Sequence, residues 1–311
     1  MLIHLQSQLQ ERAMLNDTSL LGVFYTVVNE KSFTRAAEKL FRTQPAVSLA
    51  IQRLEAEVGE SLIDRSGREL ALTEAGRMVY EAARQQENLQ RSLANQLGEL
   101  KNKAAGRLAI GANESMTLYL LPHLSRFRRA YPKVKLVVQR SRSGEIPDRL
   151  LAGDVDFGVI SYRVDDERFR SQVLYTDHLA FVVSPAHKLA KRGTVPIKDL
   201  GREVFIAHNV ASPYRDAVLK AFQQAKVPLT MDIEMPTVES IRRMVQAGEG
   251  VAFLPRMCVD QDVRQGVLKE VQVKELRLER KIFLVSVAKR PMSHAAKAFL
   301  ELVGAGNGKA I

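Results

Sequence analysis

The first strong apolar repeat of the chain is Leu20, Leu21, Phe24, Val27 and Val28, which fall on one side of a helical period and predict an amphipathic helix. Phe33, Ala36, Ala37 and Leu40 repeat the pattern, with Ser32 placed to cap the second helix. The two alanines leave room for another helix to cross closely. Phe41, Arg42 and Thr43 interrupt the pattern. Gln44 and Pro45 then begin a third helix, where proline suits the first turn, and its apolar stripe is Val47, Ala50, Ile51, Leu54 and Val58. Helix, short turn and helix is the arrangement that seats its second helix in the major groove of DNA. The face opposite the stripe carries Gln44, Ser48, Leu49, Gln52 and Arg53. Glutamine can pair bidentately with adenine, arginine with guanine, and leucine can touch a thymine methyl. Residues 62–73 predict two short strands around Ser66 and Gly67, a wing that carries Arg65 and Arg68 within reach of phosphate or the minor groove. Taken alone, the pattern suits equally a small helical core with a solvated polar face.

Residues 74–103 contain no proline and only Gly76 and Gly98 among glycines, which predicts one long helix. Val79, Ala82, Leu89, Leu93 and Leu100 fit the a and d positions of a heptad, with Gln86 and Gln96 as polar interruptions. A seam of this kind cannot bury itself, so a partner helix is implied.

From Gly106 onward the pattern changes to short apolar runs alternating with helical stretches. The runs are 108–111, 136–139, 157–160, 179–183, 204–207, 251–254 and 282–287; amphipathic stretches span 118–131, 214–225, 237–247 and 293–303. This alternation predicts parallel α/β sheets with helices on their faces. Ligands of doubly wound folds sit beyond the carboxyl ends of strands, where helix N-termini offer N–H donors. Ser115 and Thr117, Ser143, Ser212 and Thr237 each lie in such a turn. Each hydroxyl also suits a plain N-cap; together they suggest a polar cleft between two lobes. Arg140, Arg142 and Arg215 lie in the same turns and suggest an electropositive cleft for a small anionic effector, a carboxylate or phosphorylated metabolite, since arginine grips such groups bidentately. Solvated strand-end arginines are the equal alternative. His208 borders the cleft, where it can touch a ligand or simply sit in a surface loop.

Composition narrows the function classes. In 311 residues, 46% hydrophobic and 26% charged content are ordinary for globular chains. A single Cys excludes a disulfide framework within the chain, an intrachain two-cysteine switch and a multi-cysteine zinc cluster. Residues 1–16 lack the charge-then-apolar order of a signal peptide, and no run approaches the roughly 20 apolar residues that cross a bilayer. A cytoplasmic protein without membrane attachment is expected. The six histidines are scattered, no nucleophile elbow or phosphate loop occurs, and Cys258 reads as a small buried hydrophobe, so no enzyme, cofactor or metal is expected. The glycine-rich tail after residue 304 reads as a frayed terminus. Residues 1–103 hold thirteen cations and thirteen anions, so the whole net charge of +11 falls on residues 104–311. The basic balance therefore does not mark the DNA reader; it suits an anionic effector or long-range attraction to DNA.

Residues 20–76 resemble the winged helix-turn-helix of the LysR-type transcriptional regulators. The resemblance rests on Ser32, Phe33, Ala36, Ala37, Leu40, Gln44 to Ser48, Leu54, Glu55, Gly59, Leu62, Arg65 and Leu72 to Gly76 in one register. Ile63 stands where the family usually has Phe, and the residues before the first helix leave Met1 and Met14 as alternative starts. Further on, 111–122, 153–158 and 248–255 resemble runs of the family's effector-binding domain, although Arg140 and Ser141 replace a frequent acidic residue and glycine. The implied fold is α/β with an all-α-rich N-terminal domain: an extension over 1–17, a winged helix-turn-helix over 18–76, a linker and dimerisation helix over 77–103, and a two-lobed doubly wound α/β effector domain, periplasmic-binding-protein-like, over 104–311. Lobe I covers about 104–178 and 283–303, and lobe II about 179–282. The implied DNA contacts are Ser32, Thr34, Arg35, Thr43, Gln44, Pro45, Ser48, Leu49, Gln52, Arg53, Arg65 and Arg68. Carried over by position, the effector contacts are Asn113, Ser115, Ser143, Ser212, Tyr214 and Thr237, to which Arg140, Arg142, His208 and Arg215 are added. The expected partners are double-stranded operator DNA, a small-molecule effector, further copies of the chain in a dimer or homotetramer, and RNA polymerase. The alternative is a two-lobed solute-binding protein or an α/β enzyme whose N-terminal helices do not bind DNA.

Overall fold

Each helix of the N-terminal unit begins where a hydroxyl precedes an apolar repeat. Ser19 caps α1 (Leu20–Glu30), Ser32 caps α2 (Phe33–Lys39) and Thr43 caps α3 (Gln44–Val58), each accepting a hydrogen bond from a backbone N–H of the first turn. The short strands β1 (Ile63–Asp64) and β2 (Ala71–Leu72) pair antiparallel as the base of the wing. Thr73 then accepts from Gly76 N–H at 2.9 Å and starts α4 (Glu74–Lys101). The computed structural model describes residues 19–64, 70–101, 105–210 and 212–304. The extension, the wing tip with Arg65 and Arg68, and the tail after 304 lie outside them. The chain divides into two compact units, residues 1–103 with 152–154, and residues 104–151 with 155–311.

The first unit closes around Val23, Phe24, Val27, Ala36, Ala37, Val47, Ile51, Leu54, Leu62 and Ile63. Ile63 fills its core position despite replacing the usual aromatic. Phe41 adopts φ 55°, a left-handed conformation rare for a bulky residue. This conformation lets Phe41 N–H reach the Glu38 carbonyl at 3.1 Å and Arg42 N–H reach that of Ala37 at 2.9 Å, closing the end of α2 in a Schellman pattern. Its ring is 92% exposed, so burial does not compensate the strain. Phe41→Asn, which tolerates this conformation, is expected to raise stability by about 0.5–1 kcal/mol in denaturant titration. A loss would reveal a contact that the exposed ring makes.

In the second unit, β3 (Ala105–Ala112) leads to α5 (Glu114–Ala130), β4 (Lys133–Arg140), α6 (Ile146–Ala152), β5 (Phe157–Ile160) and the long β6 (Phe169–Val183). There follow β7 (Thr194–Val195), β8 (Val204–His208), α7 (Pro213–Gln224), β9 (Thr230–Met235), α8 (Val238–Ala247), β10 (Ala252–Pro255), α9 (Arg256–Arg264), β11 (Lys269–Val273), β12 (Glu279–Val287) and α10 (His294–Gly304). The main sheet runs β4-β3-β5-β12-β6-β11-β7, with β10 also on β6. β3 is parallel to β4 and β5, as the strand–helix alternation predicts. The expectation of parallel sheets throughout is corrected by β12, antiparallel to β5 and β6, and by β6, antiparallel to β10 and β11.

Strand β6 is also longer than its apolar run 179–183. Its first part pairs with β12 in lobe I, with one irregularity between Ile282 and Phe283, and its last part joins lobe II. Alternation on the sheet sends Leu108, Ile110, Ile282 and Leu284 to a core with Phe127 and Phe299, and Ala109, Phe283 and Val285 to the opposite core under α6. Lobe II likewise buries Phe181, Phe205 and Phe222 on one side and Val182, Ile206, Ile241 and Leu254 on the other.

Candidate functional site

In the first unit, helix α3 turns Val47, Ala50, Ile51 and Leu54 into the core and leaves Gln44, Pro45, Gln52 and Arg53 exposed, with Ser48 half-buried and Leu49 48% exposed. That face offers donors, acceptors and one apolar side chain within about three turns, the equipment that reads base edges. Ser32 and Thr43 act as caps through their hydroxyls, and Thr34 is exposed. Arg35 donates through Nε to the Glu30 carbonyl at 3.2 Å, so its guanidinium closes the end of α1. Glu55, whose role the sequence left open, joins the reading helix to the wing: its Oε1 accepts from Leu62 N–H at 2.9 Å and Ile63 N–H at 3.4 Å.

Along α4, Val79 packs on the N-terminal core. Leu89 and Leu93 remain 72% and 51% exposed, with Leu97 nearby also exposed. The central part of the predicted seam is thus exposed among the described residues.

The second unit gathers several of the strand-end residues between its lobes. Asn113 caps α5, accepting from Met116 N–H at 3.0 Å, and its Nδ2 donates to Ser143 Oγ at 3.3 Å. The Ser115 side chain hydrogen-bonds the Cys258 thiol, which burial pushes up to about 12, so the cysteine stays a protonated thiol. Ser212 caps α7 and Thr237 caps α8, each accepting from a backbone N–H of its own helix. Tyr214 Oη in lobe II donates to the Ser161 carbonyl of lobe I at 3.0 Å. His208 is half-buried rather than on an open loop, with Nε2 3.9 Å from Glu114 Oε2. Glu114 in turn accepts from Val238 N–H at 3.1 Å, so a carboxylate of one lobe rests on the first N–H of a helix in the other.

The arginines are arranged differently from the expected electropositive cleft. Arg140 and Arg142 are exposed, and Arg215 is engaged by Glu234 at 2.6 Å and the His208 carbonyl at 2.9 Å. Two others, absent from the sequence reading, take up structural positions. Arg149 donates to Ser141 Oγ at 2.6 Å and to the Arg140 carbonyl at 3.2 Å, fixing the turn after β4. Arg280 of β12 lies buried beneath Tyr214, 4.8 Å from the ring centroid, and its Nε is 4.0 Å from Asp177 Oδ2. Among the described residues, no cluster of three metal-ligating side chains occurs, and no helix is long and apolar enough to cross a membrane.

Comparison with known proteins places both units. Residues 18–77 match the family profile described as bacterial regulatory helix-turn-helix protein, lysR family, and residues 101–307 match LysR substrate binding domain. A probable RuBisCO transcriptional regulator of Cyanophora paradoxa is 31% identical over 288 residues, covering 90% of this chain and 89% of the relative. Full-length CbnR, a solved structure in complex with its target DNA, superposes with a TM-score of 0.70 at 19% identity, covering 92% of this chain and 98% of CbnR. The regulatory domain of Synechocystis PCC6803 CcmR, solved in complex with 2-PG, superposes with a TM-score of 0.58 at 20% identity, covering 65% of this chain and 97% of that domain. The alternative of a solute-binding protein or enzyme with merely structural N-terminal helices finds no support in these matches. A helix-turn-helix profile and an effector-domain profile of one family cover nearly all of the chain in the expected order, and the chain is a LysR-type transcriptional regulator, binding operator DNA under the control of a small-molecule effector.

Proposed function

We propose that the chain works in the cytoplasm as a homotetramer joined through α4 and the effector domain, that it contacts RNA polymerase at its promoters without catalysing a reaction, and that its effector is a small anion held between the lobes. The observation that carries the anion reading is Glu114, whose carboxylate accepts from Val238 N–H at the start of α8 across the cleft. A helix terminus that favours negative charge thus opens onto the cleft, and an acid ligand reaches it by displacing the Glu114 carboxylate, which repels it while in place. Around it, Asn113, Ser115, Ser143, His208, Ser212, Tyr214 and Thr237 supply hydrogen-bonding side chains to orient the rest of the ligand. An effector acts through its differential affinity for two lobe arrangements, and so for two placements of the DNA readers in the oligomer.

Footprinting on the DNA upstream of the chain's own gene, with and without small carboxylates, sugar phosphates and 2-PG, tests this reading. Operator protection whose extent changes with an anionic compound is expected; a response confined to neutral or cationic compounds overturns the anion assignment. In the same assay, Arg53→Ala is expected to relax base preference at one position of each half-site, at a cost of about 1–3 kcal/mol. An equal loss on every sequence would make Arg53 a phosphate contact instead.

A further inference from the structure

The geometry points to Arg280 as the residue that takes the acid group of the effector, with the ring of Tyr214 as a lid over it, and to a small carboxylate or phosphate as the group it takes. This rests on the reading that the cleft binds an anionic effector and names the residue that would hold the charge. Arg280 is the second residue of β12 and stands opposite Asp177 in the register with β6, where the strands pass between the lobes. It is only 5% exposed, yet its Nε has no hydrogen-bond partner, and neither does Asp177 Oδ2 at 4.0 Å. A buried guanidinium offers up to five donors and is costly to remove from water unless acceptors replace that water. Asp177 balances its charge from 4.0 Å, beyond hydrogen bonding, which leaves Nε as a buried donor without an acceptor.

The surroundings favour an anion over a cation. Asp177 Oδ1 already accepts from Met257 N–H at 3.1 Å. Burial raises the Asp177 carboxyl from its ordinary value even beside Arg280. One face of the guanidinium is covered by Tyr214, and the Tyr214 hydroxyl is tied to the Ser161 carbonyl in the other lobe at 3.0 Å. Lifting the ring to admit a ligand therefore breaks a contact between lobes. Occupancy at Arg280 and the lobe arrangement are two ends of one equilibrium.

The test is calorimetric titration of the full chain with lactate, with its neutral counterpart lactamide, and with inorganic phosphate. Lactate without phosphate identifies a carboxylate site, phosphate without lactate a phosphate site, and either supports the assignment when lactamide does not bind. Arg280→Lys is expected to weaken the preferred anion by about tenfold, and Arg280→Gln by about tenfold to a hundredfold. Because Arg280→Gln strands Asp177, the double variant Arg280→Gln with Asp177→Asn keeps the buried pair neutral and should lose the anion equally. Tyr214→Phe frees the lid from Ser161 and should strengthen binding a few-fold. Undiminished anion affinity in the folded double variant, equal binding of lactamide and lactate, or no binding of either anion by the wild-type chain overturns the assignment. A loss of affinity in Tyr214→Phe overturns the lid. Footprinting the wild-type chain separates the two levels: operator protection without anion binding removes Arg280's role and leaves the regulator, whereas anion binding without protection does the reverse.

Discussion

Replacing Leu89 and Leu93 together by aspartate is expected to reduce the assembly to smaller species in sedimentation velocity and to raise the protein concentration needed for operator protection by about a hundredfold or more. Both leucines lie on α4, are 72% and 51% exposed, and belong to the stripe that is exposed among the described residues. In a paired helix they meet their counterparts, and burying such side chains supplies on the order of several kcal/mol per dimer. Four carboxylates placed in that seam replace the gain with repulsion and desolvation. The fold of each chain should survive, because neither leucine joins the N-terminal core, and circular dichroism checks this. The loss of DNA affinity follows from geometry: two readers held on one frame bind two half-sites far more tightly than one. Unchanged mass in sedimentation would show that another surface joins the subunits.

Gly76→Ala is expected to destabilise the N-terminal unit by about 1–3 kcal/mol and to weaken operator binding with it. A methyl at this position would stand 2.0 Å from the Leu62 carbonyl oxygen, a backbone atom that cannot rotate away. The same oxygen accepts from Thr73 N–H at 3.2 Å, and Thr73 Oγ1 both donates to the Ser61 carbonyl at 2.6 Å and caps α4. Either α4 moves off or this knot at the foot of the wing opens. Gly98 provides the matched control within one helix: nothing lies within 4 Å of its added methyl, and Gly98→Ala should stabilise by about 0.5–1 kcal/mol. Chemical denaturation of the two variants should therefore move in opposite directions. Parallel behaviour would show that packing at Leu62 does not set the cost.

What was readable in the residues was local. The stripe of Val47, Ala50, Ile51 and Leu54 and the cap Ser32 each express themselves within four positions of the chain, and the structure has them as read; the cap Thr43 stood in the sequence only as part of a break. The cleft depends on partners far apart. Arg280 looks like one charge in a charged triplet until its register opposite Asp177 is known. Glu114 shows nothing unusual until Val238, 124 residues away, donates to it. The early part of β6 escaped notice because Arg170, Ser171, Gln172 and Thr176 dilute its apolar signal; pairing with β12 makes it a strand. Charge was the least informative signal: Arg215 resembles a ligand contact in sequence and spends its guanidinium on Glu234 and a carbonyl.

The passage of β6 out of lobe I and the return of the chain through β12 have a consequence for synthesis. Lobe I takes Ile282, Leu284 and Phe299 into the same core as Leu108 and Phe127, so its framework is not complete until β12 and α10 have left the ribosome. Lobe II draws its apolar core from a nearly continuous stretch and has all of those residues available earlier. The lobe that begins first is thus finished last. During translation its exposed sheet edge must wait for more than a hundred residues, an interval in which chaperone binding or mispairing competes with the correct closure.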